Sequence, residues 1–236
     1  LRLVRDLEFD NIDSTGTKDK FCKESVFQIF PDFHGDKRGY FMEVMKNHGE
    51  HWLQNFGWMQ QINRSSSRSN VLRGCHAQMG GRCQGKLVEA VNRTIFDIIT
   101  DARPDSSSFG VTSVYRLDPK VHNQLWIPRG FLHAFVVPSC DGEETGEAVF
   151  QYYVDNAYSK ESEICINPLS FLGSVMFKHR EICKISGIND FDGLHDLFDD
   201  INSLIISNKD SNGKDFYIFM KHLSDEYAKN GMRWYV

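Results

Sequence analysis

No apolar run in this 236-residue chain approaches the roughly 18 residues that a membrane-crossing helix needs. No basic stretch followed by an apolar one opens it, so no secretion signal is expected. Basic residues are not in excess: 27 Lys and Arg stand against 32 Asp and Glu, for a formal net charge of −5. That balance offers no electrostatic footprint for a nucleic acid. The six cysteines, Cys22, Cys75, Cys83, Cys140, Cys165 and Cys183, include no Cys-x-x-Cys pair. No two Cys/His pairs have zinc-ligand spacing either. Free, partly buried thiols in a reducing cytoplasm are therefore the expectation. Internal repeats and low-complexity tracts are also lacking. What remains is an ordinary globular composition, 41% hydrophobic and 25% charged, in a chain long enough for one sizeable core.

Within that composition, the hydrophobic pattern divides the chain. Residues 1–24 are polar and weakly periodic, and read as an N-terminal arm. From "SVFQIF" onward come short β-branched and aromatic runs separated by turn residues: "GYFMEVM", "KLVEAV", "TIFDIIT", "VTSVYRL", "QLWIP", "HAFVV" and "AVFQYYV". "VNRT", between two of them, reads as a hairpin tip. Many short strands with little helix between them predict a β sandwich or barrel over residues 25–172. Residues 173–236 read as a helical extension packed on it. "NDFDGLHDLFDDINSLII" places Phe191, Leu194, Leu197, Phe198, Ile201 and Ile205 on one helical stripe. "SNGK" then breaks the chain. "DFYIFMKHLSDEYAKNG" follows as a second amphipathic helix, with Phe216, Phe219, Met220, Leu223 and Tyr227 on one face and Gly231 at its end. Both stripes read as core packing.

Polar residues stand out against this β-prone background. "VLRGCHAQ" carries Arg73, His76 and Gln78; in an extended strand His76 and Gln78 share a face, and Cys75 and Ala77 take the other. "DKRGYFMEV" carries Arg38 and Glu43. Gln61 and Asn63 precede the His76 stretch, Lys86 opens "KLV", His133 ends "IPRGFLH", and "FQYYVDNAY" holds Tyr152, Tyr153 and Tyr158. Each alone is more often structural than functional. Inward-facing residues of an antiparallel barrel, however, converge on one cavity. Arg, His, Lys and Tyr together supply an anion clamp, a base, an oxyanion stabiliser and an acid. That inventory suits proton abstraction beside a carbonyl in an anionic substrate.

Two resemblances sharpen this. "IPRGFLH" is similar to the second signature of cupin barrels. Where the first signature would place His-x-His, the chain reads "GCHAQ", with Gln78 in the second position, so a catalytic metal is not expected. The strings "GDKRGYFMEV", "QINRSSSRSNVLRGCHAQ", "QGKLV", "IFDIITDARPDSSSFG", "QLWIPRGFLHAF" and "YYVDNAYS", in that order, resemble the dTDP-4-dehydrorhamnose 3,5-epimerases, the RmlC-like cupins.

The resemblance implies a mainly β protein, a cupin-type jelly-roll barrel, to which this chain adds a C-terminal helical extension longer than the family's usual tail. It implies a cytoplasmic homodimer without metal or organic cofactor, acting on a nucleotide-linked 4-keto-6-deoxy sugar. His76 matches the family's base and Tyr152 its opposite-face acid; Tyr152 is preferred to Tyr153 for its spacing to Tyr158. Lys86 and Arg73 match groups near the enolate and the diphosphate. Arg38, Glu43, Gln61 and Asn63 match nucleotide-binding positions, some reaching across the dimer. His133 and Tyr158 match pocket residues, and Gln78 is a candidate for placing sugar or base. The family orients its base with an Asp from a Ser-x-Lys-Asp-like segment after the barrel; "ISGIND" offers Asp190, or Asn189 in its place. Three other classes are a sugar-nucleotide 3,4-ketoisomerase, a non-catalytic sugar-nucleotide-binding cupin and a metal-dependent cupin oxygenase. The first would move the carbonyl, the second would bind without proton exchange, and the third would hold a metal.

Overall fold

Why these runs become strands is visible in their alternation. In Ile95–Asp101 (β8), Ile95, Asp97 and Ile99 face one way and Phe96 and Ile98 the other, and both faces are buried. In Phe131–Val136 (β11), Phe131, His133 and Phe135 face the interior while Leu132, Ala134 and Val136 face out. A strand apolar on both faces needs a layer on each side. The computed structural model, which describes residues 2–5, 25–45, 59–139, 146–170 and 201–236, supplies both layers.

The strands form two facing sheets. The first runs in the order Arg2–Arg5 (β1), Phe27–Phe30 (β2), Gln124–Ile127 (β10), Lys86–Ala90 (β7), Ala148–Val154 (β12), Gln61–Ser67 (β5). The second runs Glu163–Cys165 (β13), Val71–Gln78 (β6), β11, β8, Thr112–Leu117 (β9). Phe33–Asp36 (β3) and Gly39–Met42 (β4) form a separate hairpin. This is the expected jelly roll. One core cluster lies between the sheets, including Val88, Ile99, Leu125, Phe135 and Phe150. Another covers the outer face of the second sheet. There Phe216, Phe219, Met220 and Leu223 of the helix Phe216–Asn230 (α2) are buried. Each such burial contributes about 1.5–3 kcal/mol. Asp215 caps this helix by accepting from the Ile218 N–H at 3.0 Å, and Gly231, at φ +64°, ends it.

Two expectations are corrected. "VNRT" is no hairpin tip: it carries the chain from β7 in the first sheet to β8 in the second. In a two-layer fold, consecutive strands can belong to opposite layers, and local turn residues do not distinguish the cases. The first predicted helix does not extend to Ile205. Ile201–Ser203 is a single 3-10 turn, and Ile205–Ile206 (β14) pairs in parallel with Val71 and Leu72 of β6. The open edge of β6 recruits these two β-branched residues into a ladder, and the Ile205 N–H donates to the Asn70 carbonyl at 2.7 Å. The one-turn helix Asn208–Ser211 (α1) comes next. The remainder of that predicted helix, Phe191 to Phe198, lies outside the described residues. Cys75, Cys83 and Cys165 are free thiols.

Strand β6 carries the irregularity that shapes the interior. His76 pairs with His133, but Arg73 pairs with Phe135, so three residue steps on β6 match two on β11. Side chains alternate along a strand, so Arg73 and His76, three apart, belong on opposite faces. The extra residue brings both to the inner face. Gly74 sits in this bulge at φ +103°, with His133 O only 2.6 Å from where a Cβ would stand. Gly74→Ala therefore lowers the unfolding free energy by about 2–3 kcal/mol, read as a shift in the urea midpoint. A change within experimental error would show that the bulge tolerates a side chain.

Candidate active site

Inward-facing positions of five strands line one cavity of about 310 Å³: Ser65 on β5, Arg73 and His76 on β6, Lys86 on β7, His133 and Phe135 on β11, and Phe150 and Tyr152 on β12. Ser207, Lys209 and Asp210, from the segment after β14, close one side. The sequence-predicted residues Arg73, His76, Lys86, His133 and Tyr152 are thus brought together. Tyr153 points to the opposite face of its sheet, beside Glu89 and Gln151.

His76 is the half-open centre. Its Nε2 lies 2.7 Å from Asp210 Oδ1, and its Nδ1 lies 3.8 Å from Glu163 Oε1. Burial works to raise Asp210, but the hydrogen bond and charge of His76 and the Ser207 and Cys165 contacts outweigh it. The carboxyl is held below its ordinary range. Asp210 reaches the imidazole through a gap in the ladder on the β6 edge. β14 covers residues 71–72, β13 covers 76–78, and between them the Gly74 N–H points at Asp210 Oδ2, 3.4 Å away.

A second histidine pairs with a second acid, deeper in. His133 Nε2 lies 2.6 Å from Asp97 Oδ1, with both side chains buried, and Lys86 Nζ lies 3.4 Å from His133 Nδ1. One arrangement satisfies all three groups: the ammonium donates to Nδ1, and Nε2–H of a neutral imidazole donates to Asp97. Burial lowers His133, against the pull of Asp97 and with the push of Lys86. Burial also lowers Lys86, with Asp97 drawing it back. Burial pushes the Tyr152 phenol up, opposed by Arg73. Arg73 stands exposed at the mouth, its Nε donating to Ser67 Oγ at 2.9 Å.

A polar strip leads away from the mouth. Gln61 Nε2 donates to Asn63 Oδ1 at 2.6 Å, and the Tyr158 N–H donates to Gln61 Oε1 at 3.1 Å. Tyr158 Oη donates to Glu163 Oε2 at 2.9 Å, and Lys209 Nζ donates to Glu163 Oε1 at 2.6 Å. Other expected residues are elsewhere. Gln78 is buried past the cavity and accepts from the Ser159 N–H at 2.9 Å. Arg38 is in the exposed β3–β4 turn, paired with Asp36, and Glu43 is exposed just after β4. Asp190 and Asn189 lie outside the described residues.

Asp210 was missed, yet its signal was present. "SNKD", Ser207 to Asp210, has the Ser-x-Lys-Asp spacing letter for letter. It fell between the first helical stripe and the "SNGK" break, in four residues that carry no periodic signal. Asp97 was embedded in the apolar run "IFDIIT", where a lone acid carries no periodic signal. Glu163 and Lys209 had none.

The comparisons with known proteins agree with one another. The family model described as dTDP-4-dehydrorhamnose 3,5-epimerase matches residues 23–217. The dTDP-4-dehydrorhamnose 3,5-epimerase of Escherichia coli (strain K12) is 41% identical over 147 residues, 61% of this chain and 76% of that one. The crystal structure of dTDP-4-dehydrorhamnose 3,5-epimerase from Elizabethkingia anophelis superposes with a TM-score of 0.63 at 28% identity, covering 92% of this chain and 97% of that one. That of dTDP-6-deoxy-D-glucose-3,5-epimerase RmlC from Legionella pneumophila, in complex with dTDP-4-keto-L-rhamnose, gives 0.64 at 29% identity, over 84% and 91% of the two chains. No helix among the described residues is long and apolar enough to cross a membrane.

His133 yields a pH prediction. Its folded-state pKa is held below the ordinary 6.5, so the unfolded chain takes up the proton first as pH falls. Its contribution to stability is complete above the unfolded value and is lost as pH drops through the folded one. Urea unfolding between about pH 7.5 and about pH 5 is expected to show falling stability, with a shallower fall in His133→Gln. An unchanged slope in the variant would mean that folding leaves the His133 pKa where it stands in the unfolded chain.

Proposed function

This chain belongs to the dTDP-4-dehydrorhamnose 3,5-epimerase family, and from that membership we propose that it inverts C3, C5 or both in a dTDP-linked 4-keto-6-deoxy hexose. Hydrogens beside the C4 ketone are the acidic ones, and removing either leaves an enolate. His76 takes the proton. With its Nε2–H donated to Asp210, Nδ1 keeps the lone pair a base requires. Lys86, a cation inside the cavity, stabilises the enolate oxygen. Tyr152 returns a proton on the opposite face of the ring, which is what turns exchange into inversion. Arg73 at the mouth, extended by Gln61, Asn63 and Tyr158, receives the diphosphate and nucleotide.

The observation that carries this reading is the His76–Asp210 pair at 2.7 Å, opening on the same cavity as Lys86 and Tyr152. Asp210 is a carboxylate, so it fixes the tautomer and stabilises the imidazolium that proton transfer creates. A non-catalytic binding role would suit an imidazole without an orienting carboxylate, and the Asp210 carboxylate beside His76 speaks for the catalytic reading. The β3–β4 hairpin, with Phe33, Tyr40 and Phe41 all more than half exposed, supports a homodimer in which Arg38 and Glu43 serve the partner's cavity.

The test is proton–deuterium exchange followed by NMR in D2O with dTDP-4-keto-6-deoxyglucose. Deuterium is expected at C3, C5 or both. His76→Ala should slow exchange at least about 100-fold, and Asp210→Asn about 10- to 100-fold, with the fold intact by circular dichroism. Tyr152→Phe should exchange with retained configuration. Undiminished exchange in His76→Ala would refute the assignment of the base.

A further inference from the structure

We propose that His76, Cys165 and Asp210 form a binding site for one soft divalent cation, zinc or cadmium, and that occupancy switches the epimerase off. The three donors come from three elements distant in sequence and converge at the cavity wall. Their ligand atoms all lie within 4.8 Å of one another. Cys165 Sγ lies 3.5 Å from Asp210 Oδ1, which lies 2.7 Å from His76 Nε2.

Tetrahedral zinc, with bonds of about 2.0–2.1 Å to nitrogen and oxygen and about 2.3 Å to sulfur, separates sulfur from oxygen by roughly 3.5 Å and nitrogen from oxygen by roughly 3.3 Å. Cys165 Sγ already stands at that separation from Asp210 Oδ1. The imidazole and carboxylate need to part by roughly 0.6 Å once the hydrogen between them leaves. His76 and Asp210 line the cavity, which gives an ion its path of entry.

The scaffold holds these donors independently of a metal. Cys165 is the register partner of His76 across β13 and β6, so the two side chains lie side by side. Asp210 is fixed by Ser207, whose Oγ accepts from the Asp210 N–H at 3.1 Å. The Gly74 N–H, 3.4 Å from Asp210 Oδ2, lets Oδ1 act as a single ligand atom. Glu163 Oε1 lies 3.8 Å from His76 Nδ1, where a second carboxylate receives the N–H of a metal-bound imidazole. Sulfur with imidazole selects a soft ion over magnesium or calcium, which take oxygen ligands.

Occupancy also explains inhibition, a consequence that rests on His76 being the base. A neutral imidazole has one in-plane lone pair. When the metal takes it at Nε2, the proton sits on Nδ1 and no basic nitrogen remains. Burial keeps Cys165 a thiol, pushed up to about 12. Binding therefore expels its proton: a divalent ion plus thiol, imidazole and carboxylate gives the complex and one proton in solution.

The experiment titrates the metal-free full chain with Co2+ and then Zn2+, following absorbance, proton release and solvent exchange into the dTDP-4-keto sugar. The wild type should bind one ion with a thiolate-to-cobalt charge-transfer band and release one proton. Its exchange rate should fall with occupancy and return with EDTA. Cys165→Ala and Cys165→Ser should lose the band and bind Zn2+ at least about tenfold more weakly. Each variant's rate, relative to its own metal-free rate, should resist Zn2+ levels that silence the wild type. Absence of the band, or a band that survives in Cys165→Ala, overturns the site. A Cys165-dependent band with an undiminished rate upholds the site and overturns His76 as the base.

Discussion

The cavity depends on a break in one hydrogen-bond ladder. The outer edge of β6 is shared by β14 along residues 71–72 and β13 along residues 76–78, and neither covers Gly74. There the backbone bulges, Arg73 and His76 turn to the same face, and a carboxylate enters where a strand would otherwise run. The approach is close on both sides. A Cβ at Gly74 would stand 2.6 Å from the His133 carbonyl oxygen, and one at Gly213, just past Asp210, would stand 2.7 Å from the Asn167 nitrogen. A continuous ladder would have been the cheaper sheet. The interruption is where the fold yields regularity to place an imidazole, the carboxylate bonded to it and an exposed arginine on one wall.

Two histidine–carboxylate pairs share that cavity, and burial separates them. His133 and Asp97 are enclosed, next to the Lys86 ammonium, so the imidazole is neutral and relays a hydrogen bond from cation to anion. Among the described residues Asp97 Oδ2 is buried without a hydrogen-bond partner, a cost set against the attraction between Asp97 and Lys86. His76 and Asp210 sit nearer the opening, with the imidazole partly exposed. Similar side chains in different dielectric surroundings thus suit different work: one pair lies beneath Lys86, and the other is the one we propose to move a proton. Cys165 and Glu163 on the neighbouring strand add donors beside that pair, so in our proposals one exposed imidazole serves both proton transfer and a metal ion.

The legible parts were those set by local pattern. The period-two runs marked the strands of both sheets, and the 3.6-residue stripe with Gly231 at its end marked α2. Short strings such as "VLRGCHAQ" and "IPRGFLH" pointed to His76 and His133 before any contact was known. The errors came where a decision was non-local. "VNRT" has turn chemistry whether it joins partners in one sheet or crosses between two. Ile205 fits a helical stripe and a strand equally well, and the unfilled edge of β6 decided between them. Gln78 shares a face with His76, but two further residues carry it past the cavity to the Ser159 backbone.

By itself, then, the sequence determined the layer architecture, the amphipathic C-terminal helix and the kinds of groups the interior would hold. Alternation and capping are properties of neighbours along the chain, readable without a partner. Only the tertiary structure decided which acid meets which base. His76, Cys165 and Asp210 are separated by 89 and 45 residues, and no spacing rule spans such distances. Their meeting depends on a bulge, a parallel pair of isoleucines and a glycine that lets two backbones touch. Those are constraints of packing in three dimensions, where the energy of a contact is settled by everything that surrounds it.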